Sequence, residues 1–294
     1  MTTALVLALT VGVLWAAVGA LFGYAPVEKD RLISFFALNS TIYFLFSTFS
    51  LSLPAKGGEL WILALLMVPA AVAELAGFWV LKQVMNQGCQ GIAWAIIQSS
   101  MVIPFLGALF LPGNSATAVQ LVGIVLLFAG VGCLAGEKQR RNRPSEFGSE
   151  HSFARLLAAA FLLVGISQFL RLLPNYFPLS KETLSWRLFF SALTGLVWWN
   201  VWAAARKKYL LGSVWQVALC YGLTVALGQF VFYRAADAAA ACGWSSGVIP
   251  TAVGSSIILF CVYCSVFRRE RGAVLGWAGI FLIVAGIAGL SRTC

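Results

Sequence analysis

The chain alternates long apolar runs with short polar breaks. The runs cover residues 3–22, 31–53, 60–82, 89–111, 116–136, 152–172, 182–205, 212–236, 243–267 and 273–290. A helix needs about 20 residues to cross about 30 Å of hydrocarbon, and each run suffices. The runs are apolar on all faces, so the alternation of a barrel strand does not fit. Backbone groups in lipid must be satisfied within the segment, which makes the runs helices. The breaks carry turn chemistry: Tyr24-Ala25-Pro26, Pro54 to Gly58, Gln87-Gly88, Pro112-Gly113-Asn114, Pro174 to Pro178, and Cys242-Gly243. One break is long and polar, EKQRRNRPSEFGSEHSFAR from Glu137 to Arg155. It divides the chain into a first five-helix half (1–136), a basic linker (137–151) and a second five-helix half (152–294).

Composition agrees with this pattern. Only 10% of residues are charged and 61% are hydrophobic, where a soluble domain carries about 25% charged residues. The first run lacks a basic leader and a small-residue cleavage site and is too long for a signal peptide, so it reads as the first span. The net charge of +10 reflects loop bias rather than nucleic-acid binding. With the N-terminus outside, most Lys and Arg fall on the inner side: Lys29, Arg31, Lys82, Lys138, Arg140, Arg141, Arg143, Arg155, Arg206, Lys207, Lys208, Arg268, Arg269 and Arg271. The positive-inside rule then places both termini outside. Cys261 and Cys264 form a C-x-x-C without a second pair or a nearby His, so they read as small core residues rather than metal ligands.

The halves repeat. VGIVLLFAGVG at 122–132 resembles AGIFLIVAGIA at 278–288. The register that sets Gly123 on Gly279 also sets Ser99-Ser100 on Ser255-Ser256 and Gly91 on Gly247, without a gap. Five spans per half is an odd number, so the copies must sit upside-down to each other. Inverted repeats are a transporter signature, with the solute site near the midplane between them.

The chain here resembles the drug/metabolite transporter superfamily, over nearly its whole length. FRRERGAVLGWAGIFLIVAG at 267–286 is similar to that superfamily's repeat ending, and WRLFFSAL at 186–193 to the Arg-bearing start of a repeat's second helix. The first repeat departs from the pattern at Pro112-Gly113-Asn114. FGYAPVEKD at 22–30 and LGQFVFYRAADA at 227–238 resemble the first loop and eighth helix of the L-rhamnose–proton symporter group. The resemblance implies an all-α membrane protein of ten helices in two inverted five-helix repeats, in a bacterial inner membrane. It also implies carriage of a small polar solute.

A charge deep in a bilayer costs about 2.5–3.5 kcal/mol on the insertion scale, so it needs a reason. Glu74 lies eight residues before Lys82, roughly 12 Å inward at about 1.5 Å per residue. It is the candidate proton-coupling group; the alternative is a protonated structural acid bonded to a neighbouring helix. Candidate solute contacts are Asn39, Gln98, Ser99, Arg187, Gln229, Tyr233, Ser255 and Ser256, with Trp79 and Trp186 as cavity walls. Arg171 and Arg187 near the outer face also fit snorkelling, and the serines also fit helix packing. Arg234 and Asp237 are three apart and can pair. Pro69, Pro104 and Pro250 lie inside helices and can bend them.

His151 is the lone histidine and lies in the linker; no phosphate loop or nucleotide-binding domain is present. No catalytic constellation, cofactor or metal site is expected. The reading is a proton-coupled secondary transporter of a sugar or related solute, working in the lipid bilayer as a monomer or homodimer. An exporter of drugs or amino acids on the same fold is the alternative. A membrane enzyme should cluster His, Asp or Glu at one face, and a scaffold need not keep Glu74.

Overall fold

The computed structural model describes residues 1–49, 51–53, 57–87, 90–110, 117–141, 150–206, 212, 214–242, 244–269 and 274–290. Among these the chain is all-helical: α1 Thr2–Gly23, α2 Lys29–Thr48, α3 Gly57–Met85, α4 Gln90–Gln98, α5 Val102–Leu109, α6 Ala118–Arg141, α7 Glu150–Leu172, α8 Lys181–Leu184, α9 Arg187–Ala205, α10 Val214–Ala241, α11 Ser245–Phe267 and α12 Val274–Leu290. Eight helical segments among the described residues are long and apolar enough to cross a membrane. This is an integral membrane architecture. α12 is apolar but has 17 residues. α2 is more polar, with Asp30, Arg31, Asn39, Ser40 and Thr41 along its length.

Element ends differ from the sequence reading where side chains intervene. The second helix stops at Thr48 rather than 53. Ser52 is instead caught by the other half: its N–H donates to Ser185 Oγ (2.9 Å) and its carbonyl accepts from Trp186 Nε1 (3.2 Å). The fourth run is two helices joined by a 3-10 turn at Ser99–Met101. Pro104 explains the join, since its ring excludes the bond to the Ser100 carbonyl. In the seventh run Ser180 caps the one-turn α8, and α9 starts only at Arg187. Helix also consumes both ends of the expected linker, with α6 reaching Arg141 and α7 starting at Glu150. Residues 142–149, the 112–114 turn, Lys207, Lys208 and Arg271 lie outside the described residues, as do the side chains of His151 and Asp237.

α1 packs on α10 and α11, α7 on α3 and on α4–α5, α2 on α9 and α10, and α3 on α9. α4 meets α11, and α6 lies along α12. The α6–α12 contact depends on glycine. A Cβ on Gly123 would lie 2.7 Å from the Gly286 carbonyl, and one on Gly130 would lie 2.6 Å from the Gly279 carbonyl. Seen from α12, Gly279 faces the Gly130 carbonyl at 2.9 Å and Gly286 the Gly123 carbonyl at 2.5 Å. Lipid supplies no hydrophobic drive between helices, so close backbone approach and van der Waals packing hold such pairs.

Two ends of the bundle can be distinguished. At the basic end Arg206, just after α9, pairs with Asp30 on α2 (3.3 Å), and Tyr263 on α11 bonds Tyr24 after α1 (3.1 Å). At the opposite end Glu59 on α3 accepts from Ser180 N–H (2.9 Å), Ser180 Oγ (2.7 Å) and Thr183 Oγ1 (2.8 Å). Between them, toward the basic end, lies an aromatic core. Phe36 stacks on Trp199 at 4.6 Å, and Trp199 on Trp202 at 5.5 Å. Phe22, Phe35, Phe78 and Tyr221 close around them. Such ring pairs contribute about 0.5–1.5 kcal/mol each beyond area burial. Trp61, Trp215 and Trp277 are exposed near helix ends, as interfacial Trp would be.

Candidate functional site

Glu74 sits in the middle of α3 and is partnered. Arg171, at the last turn of α7, points back into the bundle and its Nη2 donates to Glu74 Oε2. The side chains are 19% (Arg171) and 30% (Glu74) exposed, so the pair is largely withdrawn from the surface. α3 and α7 are close enough for this because Gly77, three residues along, packs directly on Val164. Arg171 therefore does not snorkel outward as the sequence reading allowed. Its Nε is sealed from solvent without a hydrogen-bond partner, which leaves a donor beside Glu74.

Tyr43 on α2 and Tyr233 on α10 lie within Coulombic range of this ion pair. Arg187, opening α9, places its guanidinium 5.3 Å from the Tyr233 ring centre, and its Nε donates to the Leu184 carbonyl (3.0 Å). Five helices, α2, α3, α7, α9 and α10, thus bring Tyr43, Glu74, Arg171, Arg187 and Tyr233 into one polar neighbourhood. Asn39, one turn before Tyr43 on the same face of α2, keeps its Oδ1 buried without a partner. Such a set offers hydrogen-bond donors and acceptors from five helices in one place.

Other expected residues are placed elsewhere. Ser99, Ser100 and Ser256 are fully buried. Ser99 Oγ donates back to the Ala95 carbonyl (2.7 Å), and Ser256 Oγ accepts from Trp94 Nε1 (3.3 Å). Ser255 Oγ donates to the Thr251 carbonyl (2.6 Å) and occupies the space over Gly12 on α1. α4 and α11 face each other here, and Ser255 is half-buried where the other three are fully buried. Trp79 is also displaced from Glu74. Five residues along a helix turns the side chain away, and Trp79 packs on Trp202 (5.2 Å) and Trp199 (5.6 Å) toward the basic end. Trp186 is a fastener at the opposite end, through its bond to the Ser52 carbonyl. Gln98 and Gln229 are half-buried on α4 and α10. Arg234 is exposed, its guanidinium 5.4 Å from the Phe230 ring centre.

A cleft of about 280 Å³ opens at the basic end beside Trp79 and Lys82, away from Glu74. Neither member of the ion pair lines this cleft. Arg171 and Tyr43 are the members that the sequence reading did not place in the site. Tyr43 had a signal, its four-residue spacing from Asn39; Arg171 had only the cost of burying a charge.

No family model and no curated protein matches the chain. A solved structure described as "Crystal structure of protein" is similar with a TM-score of 0.61 at 15% identity, covering 98% of this chain and 96% of that one. At that identity the likeness is one of fold.

Proposed function

We propose that this protein is a secondary active transporter that moves a small polar solute together with a proton. The observation that carries the proposal is the Glu74–Arg171 pair, held inside the bundle among Tyr43, Tyr233 and Arg187. Protonation of Glu74 removes the negative partner and frees the Arg171 guanidinium to bond solute oxygens. Loss of that proton to the far side restores the ion pair and expels the solute. A sugar or related polyol suits donors flanked by aromatic rings.

The proposal takes the ten helices, with α4–α5 and α8–α9 as one span each, as two inverted repeats. Helix neighbours support this. Exchanging each span with its counterpart five further on turns the α3–α7 contact into α10–α1, α3–α9 into α10–α2, and α4–α7 into α11–α1. All of these contacts occur. The α6–α12 glycines exchange likewise, since Gly123 meets Gly286 and its counterpart Gly279 meets Gly130. The repeats would rock about the site, with the basic end cytoplasmic.

The test is uptake of labelled sugars, polyols, amino acids and amines into proteoliposomes, with and without a pH gradient. At least one class should accumulate only with the gradient, and Glu74→Gln should abolish the gradient dependence while leaving exchange. Undiminished gradient-driven uptake by Glu74→Gln would remove Glu74 as the coupling group.

A further inference from the structure

The basic end holds cations that transport at Glu74 does not use. Lys82, near the end of α3, is only 1% exposed. Its Nζ donates to the carbonyls of Phe22 (3.1 Å) and Gly23 (3.3 Å), which close α1. An ammonium has three donors, and these bonds use two. Arg268 follows α11, with its guanidinium 4.1 Å from the Tyr24 ring centre. Its Nε and Nη2 are buried without hydrogen-bond partners. Its Nη2 lies over Gly23, where an added Cβ would meet it at 3.1 Å, so it flanks the residue whose carbonyl holds Lys82. The two cations are within Coulombic range of each other. The nearby carboxylates are engaged elsewhere, Glu28 with Arg31 and Asp30 with Arg206.

Burying two like charges side by side is costly, and arginine cannot relieve it by losing its proton. An anion nearby would stabilise both cations. The cleft of about 280 Å³ supplies room for one, because Lys82 lines it together with Lys29, Gln83 and Asn86, and no carboxylate does. Lys29 is the first residue of α2, so the cleft mouth also borders the positive end of that helix.

We propose that this cleft binds a phosphate group, held by Lys29 and Lys82 with the Gln83 and Asn86 amides as further donors, and with Arg268 adding positive potential behind Lys82. Phosphate fits better than a halide because the lining offers several donors, from the start of α2 and the end of α3, to a ligand with several oxygens. The group can belong to an anionic phospholipid at the bilayer surface or to a free phosphate. The site is independent of the transport proposal.

The experiment uses the full chain in two arms. In neutral detergent, inorganic phosphate is titrated while thermal unfolding is followed, with sodium chloride at equal ionic strength as reference. In nanodiscs, phosphatidylcholine is compared with phosphatidylcholine containing phosphatidylglycerol. Stabilisation in the first arm identifies free phosphate, and in the second arm alone a lipid headgroup; either supports the site. Lys29→Gln and Arg268→Gln should each weaken binding by about tenfold. Lys29 is exposed, so its substitution leaves the fold intact even where Lys82→Gln, which uncaps α1, does not. Stabilisation in neither arm, stabilisation matched by chloride, or a response unchanged in both Lys29→Gln and Arg268→Gln overturns the proposal.

Discussion

Breaking the Glu74–Arg171 pair from each side should cost different amounts. The perturbation is a double-mutant cycle of Glu74→Ala, Arg171→Ala and the pair together. Removing one partner of a fully buried ion pair costs about 3–5 kcal/mol, while an exposed pair is worth about 0–1 kcal/mol. With side chains 30% and 19% exposed, the pair lies nearer the buried limit, and about 2–3 kcal/mol is expected for Glu74→Ala. That variant strands a guanidinium that cannot lose its proton. Arg171→Ala strands a carboxyl that can become neutral by taking one up, so its loss should be smaller and should shrink further as pH falls. The double variant strands nothing and should be more stable than the two single losses predict, by about 1–2 kcal/mol. Thermal unfolding in detergent, followed by tryptophan fluorescence at two pH values, reads all four corners. Additivity within about 0.5 kcal/mol, or Arg171→Ala proving the more damaging variant, would refute the reasoning.

Gly286→Ala would put a methyl 2.5 Å from the Gly123 carbonyl, against about 3.4 Å for ordinary contact, so α6 and α12 must part. Overpacking costs about 1–3 kcal/mol, which exceeds the roughly 1 kcal/mol gained in helix propensity; thermal unfolding should show a net loss. Gly132→Ala on α6 meets nothing within 4 Å and should be neutral or stabilising in that assay. Glu59→Ala removes the acceptor of three bonds from Ser180 and Thr183. It should cost about 2–3 kcal/mol and speed amide hydrogen exchange across residues 177–186 relative to the rest of the bundle.

The helical membrane architecture was legible because a bilayer leaves the backbone few choices, and uniform apolarity over twenty residues states the choice openly. Glu74 was legible for the same reason, since an acid in the middle of α3 stands out against hydrocarbon. Its partner was not. Arg171 sits at a helix end, where an outward-reaching side chain and an inward-reaching one share the same sequence. The surroundings of the serine pairs at 99–100 and 255–256 were not legible, because matched spacing in the two halves says nothing about which face a neighbouring helix covers. Gly12, which receives Ser255, is distant in sequence and carries no side chain to advertise the contact. The packing of Trp79 on Trp199 and Trp202 was not legible from its proximity to Glu74 along the chain, since five residues on a helix is a change of direction as well as of height. Lys82 reads in the sequence as an inner-side charge at the end of its helix; in the fold it caps the end of α1 from inside the protein.

The 3-10 turn at Ser99–Met101 gives the rod from Gln90 to Leu109 a built-in screw. Three residues wound at about 3.0 per turn and 2.0 Å rise, rewound at about 3.6 per turn and 1.5 Å, would shorten the rod by roughly 1.5 Å and swing its far half by roughly 60°. Pro104 holds the tighter winding in place. A change of winding at that turn would therefore rotate the segment from Val102 to Leu109 about its own axis and draw it roughly 1.5 Å along α7.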